Sequence, residues 1–334
     1  MKALATDGKG TLWLADAPMP VTGPYDCLVK TRSCLFCNTT DQHIVENSFE
    51  FGIPYPALLG HESLGQVVEC GANVRNFQVG DWVTQPFACY PDETLGEFGS
   101  GWGGFAEFGK IRDHAAETSD SGVEAPAFFR YMTKLPPALD PEKAGVITVQ
   151  RELCSAIRCL GDLRGRSFLV AGAGVAGLLS AVFLKAGGAK RVGVAARRNE
   201  ALETARRLTP ADEFVLLGAA DTPRFEELIE TTGSLQAMQD IAARFLTPGG
   251  AIHSYAIYEE MSRPDFADLL PSGHPHDRID PDQLSAHEEV CRMLLDGSLT
   301  AVGWITGRYP LDRFAEAWAD VQNKRGLKTL IEMP

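Results

Sequence analysis

The sequence is short of positive charge and of cysteine, and it has no long apolar run. Its 31 Lys and Arg stand against 44 Asp and Glu, a net charge of −13. Such a surface repels phosphate backbones and anionic headgroups, so neither a nucleic acid nor a membrane surface is expected as partner and a small molecule is the default. No segment reaches 18 uninterrupted apolar residues, and the first ten residues lack the apolar stretch of a signal peptide. A cytoplasmic location is expected. Eight Cys in 334 residues are too few for a disulfide scaffold. In a reducing compartment each is either a small buried hydrophobe or a metal ligand. Internal repeats and low-complexity tracts are also missing. The 45 % hydrophobic and 22 % charged residues are those of a globular chain, and the length suits about two domains.

What is present changes in texture near residue 144. Before it, short β-like runs at 27–31, 63–69 and 81–84 alternate with Gly, Pro and Asn breaks, which predicts an irregular β-rich domain. After it come a helical stretch, a buried strand at 167–172, a helix, a strand at 191–196 and a further helix to Leu208. Further strands are expected at 213–217 and 227–232, with too little chain between them for a full crossover helix. Alternation of this kind predicts a parallel α/β sheet. Thr247-Pro-Gly-Gly reads as a turn into a strand, and 262–282 as an irregular His- and Pro-rich loop near a ligand, with His274, His276, Asp277 and Arg278 as candidate substrate contacts or plain surface. Residues 328–332 are expected to form a closing strand that returns to the first domain.

Two motifs carry chemistry. Gly172-Ala-Gly174-Val-Ala-Gly177 lies between a predicted strand and a predicted helix. In that context the glycines permit a tight turn, close approach to a pyrophosphate, and helix–strand packing, with the helix N-terminus facing the phosphates. At the end of the next strand an NAD-preferring chain places a carboxylate for the ribose 2′-hydroxyl. Here Ala195-Ala196-Arg197-Arg198 stands instead, with no acid before Glu200. Two guanidiniums suit a 2′-phosphate, so NADP(H) is expected over NAD(H), the alternative being two solvated helix-start arginines. The second motif is Gly60-His61-Glu62, preceded 24 residues earlier by Cys37. A thiolate and an imidazole leave an open position on a zinc ion for an alcohol oxygen.

Gly60-His61-Glu62 with Gly65, Val67-Val68-Glu69 and Val79-Gly80-Asp81, then Gly103-Gly104-Phe-Ala-Glu107, the nucleotide segment, Ile229-Glu-Thr-Thr-Gly233, Thr247-Pro-Gly-Gly250 and Leu295-Asp-Gly297 follow one another along the chain. This series resembles the zinc-type medium-chain dehydrogenase/reductase family over essentially the whole length. The resemblance implies a GroES-like catalytic domain at 1–145, completed by 291–334, with a Rossmann NADP-binding domain inserted at 146–290. It implies a catalytic zinc on Cys37 and His61 with Glu62 as a close or exchanging ligand. Thr40 would relay the substrate proton and His43 would pass it to solvent.

The chain departs from the family in two places. The family usually reads Cys-x-Ser/Thr-Asp, whereas Cys37-Asn38-Thr39-Thr40-Asp41 is one residue longer, so alignment on Thr40-Asp41 would set Asn38 at the ligand position. Cys37 is favoured, because Cys34-Leu-Phe-Cys37 keeps the preceding residues and a one-residue bulge can turn the sulfur inward. Gapless alignment also puts Arg151 where relatives supply a further ligand, so either Glu152 substitutes or the zinc relies on fewer protein ligands plus water. Only Cys89 occurs between Asp81 and Ile111, so no structural zinc is expected. Cys27, Cys70, Cys159 and Cys291 are expected to be buried or partly buried, and Trp102 and Phe49 are candidate pocket residues or plain core or surface residues.

The resulting expectation is an NADP-dependent medium-chain alcohol dehydrogenase, a homodimer or homotetramer as relatives are, which interconverts a secondary alcohol of polyol, sugar or cyclitol type and a ketone. A zinc-independent quinone or enoyl reductase and a non-catalytic NADPH binder are the alternatives.

Overall fold

The computed structural model describes all residues except 49–51, 125, 220–222 and 264. The chain divides into two compact units, Met1–Thr148 with His287–Pro334, and Val149–Ala286.

In chain order the first unit opens with strands β1 (Lys2–Thr6), β2 (Leu12–Asp16) and β3 (Asp26–Leu35), then helix α1 (Thr40–Glu46). Strands β4 (Ala57–Leu58), β5 (Glu62–Cys70), β6 (Trp82–Thr84), β7 (Thr94–Leu95), β8 (Phe98–Ser100) and β9 (Phe108–Arg112) precede α2 (His114–Ser121). Helix α3 (Ile147–Arg158) spans the unit boundary. The second unit then runs through β10 (Ser167–Ala171), α4 (Val175–Ala186), β11 (Arg191–Ala196), α5 (Asn199–Leu208), β12 (Glu213–Leu216), β13 (Phe225–Glu230), α6 (Leu235–Phe245), β14 (Leu246–Ser254) and β15 (His276–Arg278). Helix α7 (His287–Asp296), β16 (Ile305–Pro310), α8 (Phe314–Gln322) and β17 (Lys328–Glu332) return the chain to the first unit.

The first unit holds two sheets, one ordered β2-β1-β4-β8-β7 and the other β16-β17-β3-β5-β6 with β9 also on β3. Strand β17 pairs antiparallel with β3, which pairs antiparallel with β5, so the last residues of the chain close onto its beginning. Leu4, Phe36, Ile44, Leu59, Phe105, Trp318 and Ile331 fill one core there, and Cys27, Val29, Val67, Val83 and Ile111 help to fill another.

The second unit is one parallel sheet ordered β12-β11-β10-β13-β14-β15. Strand β10 is apolar on both faces (Phe168 to Ala171 are all buried) because helices cover a parallel sheet on both sides. Strand order reverses beside β10, where the chain leaves β12 at one edge and re-enters as β13 on the opposite side. No helix intervenes between β12 and β13 among the described residues.

Two local expectations are corrected. Thr247-Pro-Gly-Gly is not a turn ahead of a strand. It lies inside β14, where the pairing register with β13 shifts between Phe225 and Glu227 and so absorbs the irregular residues. The 262–282 segment is not wholly irregular either. His276–Arg278 adds a parallel edge strand to β14, a pairing that three polar residues do not advertise.

Candidate active site

The first cluster is set by the β17–β3–β5 ladder. Leu35 at the end of β3 is paired with Glu62 at the start of β5 and with Leu330 of β17, so chain leaving β3 and chain entering β5 meet at one sheet end. Gly60 sits at φ 109°, and a Cβ there would lie 2.5 Å from the Phe105 ring and 2.8 Å from its backbone nitrogen, so only glycine lets the chain turn here. The turn delivers His61 and Glu62 to the sheet end. Cys37 follows β3 by two residues, and its Sγ, a His61 ring nitrogen and a Glu62 oxygen all lie within 4.8 Å of one another.

Asn38 does not compete for this place. Its side-chain amide donates to the Leu327 carbonyl at 3.0 Å, and the sulfur of Cys37 turns inward one residue earlier. Cys34 lies wholly in the apolar core with Phe36 and Leu59, where burial pushes its thiol well above the usual range.

Asp41, fully buried in the first turn of α1, organises the cluster. One oxygen accepts from the Cys37 backbone N–H at 2.8 Å, and the other lies 3.3 Å from His61 Nδ1. With Nδ1 facing Asp41, Nε2 is the nitrogen left for a metal. Burial alone would lower the His61 imidazole, but the Asp41 carboxylate and the Cys37 sulfur outweigh it and hold the ring well above the ordinary histidine value. The second residue that sequence reasoning missed is Lys328, at the start of β17. Its ammonium donates to Glu62 Oε1 at 2.5 Å and to the Phe36 carbonyl at 3.2 Å, with 2 % and 5 % of the Lys328 and Glu62 side chains exposed. A lone lysine in the apolar strand Lys-Thr-Leu-Ile was the available signal. The other Glu62 oxygen, Oε2, is buried without a hydrogen-bond partner.

A thiol, an imidazole and a carboxylate with one orphaned oxygen form a donor set that fits zinc. The Trp102 ring lies 5.1 Å from the His61 ring, which places it beside the cluster. Thr40 and His43 lie one turn apart on α1, both half-buried, and His43 Nδ1 is 2.8 Å from Ser48 Oγ. Phe49 lies outside the described residues. Glu152 belongs to the second unit, half-buried on α3, and is not among the three clustered ligands; Arg151 beside it is fully buried. Cys159, expected to be at least partly buried, is exposed and its Sγ lies 3.7 Å from the Asp280 carbonyl.

The second cluster lies at the carboxyl ends of the parallel strands. Gly172 follows β10 at φ 109°, and a Cβ on Gly177 would fall 2.0 Å from the Gly172 carbonyl oxygen, so α4 packs against the turn at glycine distance. Gly174 caps α4 without a side-chain hydrogen bond, and a Cβ there would meet no protein atom within 4 Å. Uncapped N–H groups facing open space at the strand-order reversal form an anion-binding end. Arg197 and Arg198 directly follow β11 and are exposed, and their side chains make no ion pair or hydrogen bond with any described residue. Of the loop histidines, His274 Nδ1 bonds to the Gly250 carbonyl and His276 Nε2 to Ser254 Oγ, so both have partners within their own sheet.

The β-rich unit thus carries a thiol–imidazole–carboxylate cluster, and the parallel sheet carries a glycine turn at the carboxyl end of β10. The alcohol dehydrogenase GroES-like domain matches residues 23–118. D-arabinitol dehydrogenase 1 from Uromyces fabae is 27% identical over 352 residues, covering 99% of this chain and 97% of that protein. L-threonine 3-dehydrogenase from Streptomyces avermitilis is 29% identical over 360 residues, covering 99% of each. Among solved structures, an alcohol dehydrogenase from Thermus sp. ATN1 superposes with a TM-score of 0.78 at 21% identity over 100% of both chains, which shows a shared fold. Residues 23–118 thus match the alcohol dehydrogenase GroES-like domain, and over its whole length the chain is similar to alcohol-type dehydrogenases, which supports an oxidoreductase.

Proposed function

We propose that this protein is a zinc-dependent, NADP(H)-linked dehydrogenase that interconverts a secondary alcohol of polyol, sugar or cyclitol type and the corresponding ketone. The observation that carries the proposal is the convergence of Cys37, His61 and Glu62 within 4.8 Å around an orphaned carboxylate oxygen. Cys37 and His61 would hold one zinc, with Glu62 shared between the metal and Lys328. Bound there, zinc supplies Lewis acidity to the substrate oxygen. The chain's own groups do the rest. Asp41 fixes the His61 ring and the Cys37 backbone, and Lys328 holds the Glu62 carboxylate in its buried position. Thr40 takes the substrate hydroxyl proton and His43 passes it outward toward Ser48. The turn at Gly172–Gly177 holds the pyrophosphate, and Arg197 and Arg198 bind the 2′-phosphate that no carboxylate before Glu200 opposes.

The D-arabinitol dehydrogenase likeness supports the polyol assignment, and the exposed Arg197 and Arg198 support NADP. Steady-state oxidation of a panel of polyols, cyclitols, simple secondary alcohols and L-threonine, with NADP and with NAD, tests it. A polyol turned over with NADP at higher kcat/KM than with NAD, and inhibited by a zinc chelator, is expected. Turnover of threonine with NAD alone, or reduction of an enone or quinone that the chelator leaves untouched, would overturn it.

A further inference from the structure

Two cysteines stand apart from the metal cluster and serve no role in it. Cys27, near the start of β3, and Cys70, the last residue of β5, are directly opposite one another in the antiparallel ladder, with Sγ atoms 3.4 Å apart. Closing that gap to a disulfide requires the sulfurs to approach by about 1.4 Å. The pair is asymmetric. Cys27 is fully buried among Val29, Val67 and Ile111, and burial with the neighbouring Cys70 sulfur pushes its thiol far above the ordinary value. Cys70 is half-buried and reachable. The other cysteines of the first unit are placed differently: Cys34 and Cys89 are buried, Cys37 belongs to the candidate metal site, and Cys291 packs on His287.

We propose that Cys27 and Cys70 are a redox modification site that closes to a reversible cross-strand disulfide when the protein meets a peroxide. Cys70 attacks the peroxide as thiolate. Its sulfur bonds one oxygen, the O–O bond breaks, and hydroxide leaves with the proton released from the thiol as water. Cys27 sulfur then attacks the sulfenic sulfur, the S–S bond forms, the S–O bond breaks, and the departing hydroxide takes the Cys27 proton as a second water. Two thiols and one hydrogen peroxide thus give one disulfide and two waters, the thiols being oxidised and the peroxide reduced. The disulfide-forming oxidation enters at Cys70 and is resolved by Cys27.

The placement gives the bond a consequence. Cys37, Asp41, His61 and Glu62 all lie in the chain segment between residues 27 and 70, at the opposite end of the same β3–β5 ladder. A disulfide would staple that segment and restrict opening of the strands that carry the ligands.

The experiment exposes the folded, full-length protein to hydrogen peroxide, blocks free thiols, and reads the intact mass, the proteolytic peptides and the thermal midpoint. Two fewer blocked thiols than in untreated protein, a peptide linking Cys27 to Cys70, a raised midpoint, and reversal of all three by dithiothreitol before blocking are expected. The half-buried Cys70→Ser and the buried Cys27→Ala variants should each fold and give neither the linked peptide nor the raised midpoint. A linked Cys34–Cys37 peptide in its place, overoxidation of Cys70 with Cys27 still free, or an unchanged midpoint in the bridged protein would overturn the proposal. These readouts need neither substrate nor zinc, so they stand or fall separately from the proposed activity.

Discussion

Removing the Lys328 ammonium should expose how much the buried ion pair matters. In Lys328→Met the Glu62 carboxylate keeps its buried place but loses the donor at 2.5 Å, and the Phe36 carbonyl loses its donor at 3.2 Å. Both charged side chains are at least 95 % covered, so water cannot replace the partner without opening the ladder. Breaking such a pair costs about 3–5 kcal/mol, most of it the penalty for a stranded charge. Metal-stripped protein is the sample of choice, because a cation at the site would take over the charge compensation. Burial opposes the Lys328 charge, but Glu62 and Cys37 raise its pKa above the ordinary 10.5. The native state therefore holds that proton more tightly than the unfolded chain, and the pair's contribution is complete below about pH 10.5 and lost only as pH climbs through the raised value. Urea unfolding at pH 7.5 thus measures the intact pair. The single variant should lose about 3–5 kcal/mol, whereas Glu62→Gln with Lys328→Met should recover at least half, since no charge is left stranded. A loss below about 1 kcal/mol for the single variant, or a double variant as weak as the sum of both singles, would refute the reasoning.

Four further outcomes are expected. Gly174→Ala should leave stability within about 0.5 kcal/mol of the parent because its Cβ meets no protein, yet weaken NADPH binding tenfold or more by fluorescence titration. Gly177→Ala should cost roughly 2–3 kcal/mol in the same urea assay, through the clash with the Gly172 carbonyl. Arg197→Ala with Arg198→Ala should raise the KM for NADPH by roughly tenfold or more while leaving stability and the KM for NADH unchanged, each lost charge-assisted contact being worth about 1.5–3 kcal/mol. Burial would raise the Glu227 carboxyl, but hydrogen bonds from His253 and the guanidinium of Arg166 hold it at about 2 against the ordinary 4.5. Its stabilisation is complete above about pH 4.5 and is lost as pH falls toward about 2, so Glu227→Gln should remove about 2 kcal/mol of the stability change between pH 7 and pH 3.

Much of this molecule was legible in its sequence because the features concerned are local. The glycines of 172–177, the buried run at 167–171 and the pair His61-Glu62 each announce a turn, a central strand or a ligand through adjacent residues. The partners that complete the candidate site are not local. Lys328 reaches Glu62 across 266 residues of chain, a pairing set by the β17–β3–β5 register and unreadable from either segment alone. Asp41 served in the sequence only to anchor an alignment, and its two contacts emerge from the way α1 starts directly after the Cys37 bulge. The choice between Cys37 and Asn38 turned on which side chain could find another partner, and the Leu327 carbonyl, from the far end of the chain, supplies the one that Asn38 uses. Strand β15 escaped because an edge strand of three polar residues has neither alternation nor apolar content.

The most direct measurement is the zinc content per protomer of protein purified without added metal, beside Cys37→Ser and Glu152→Ala prepared identically. About one zinc in the parent, lost in Cys37→Ser and retained in Glu152→Ala, is the expected result for a site built from Cys37, His61 and Glu62. A parent that binds NADPH but carries no zinc, or a zinc content that Cys37→Ser leaves unchanged, would contradict the central claim.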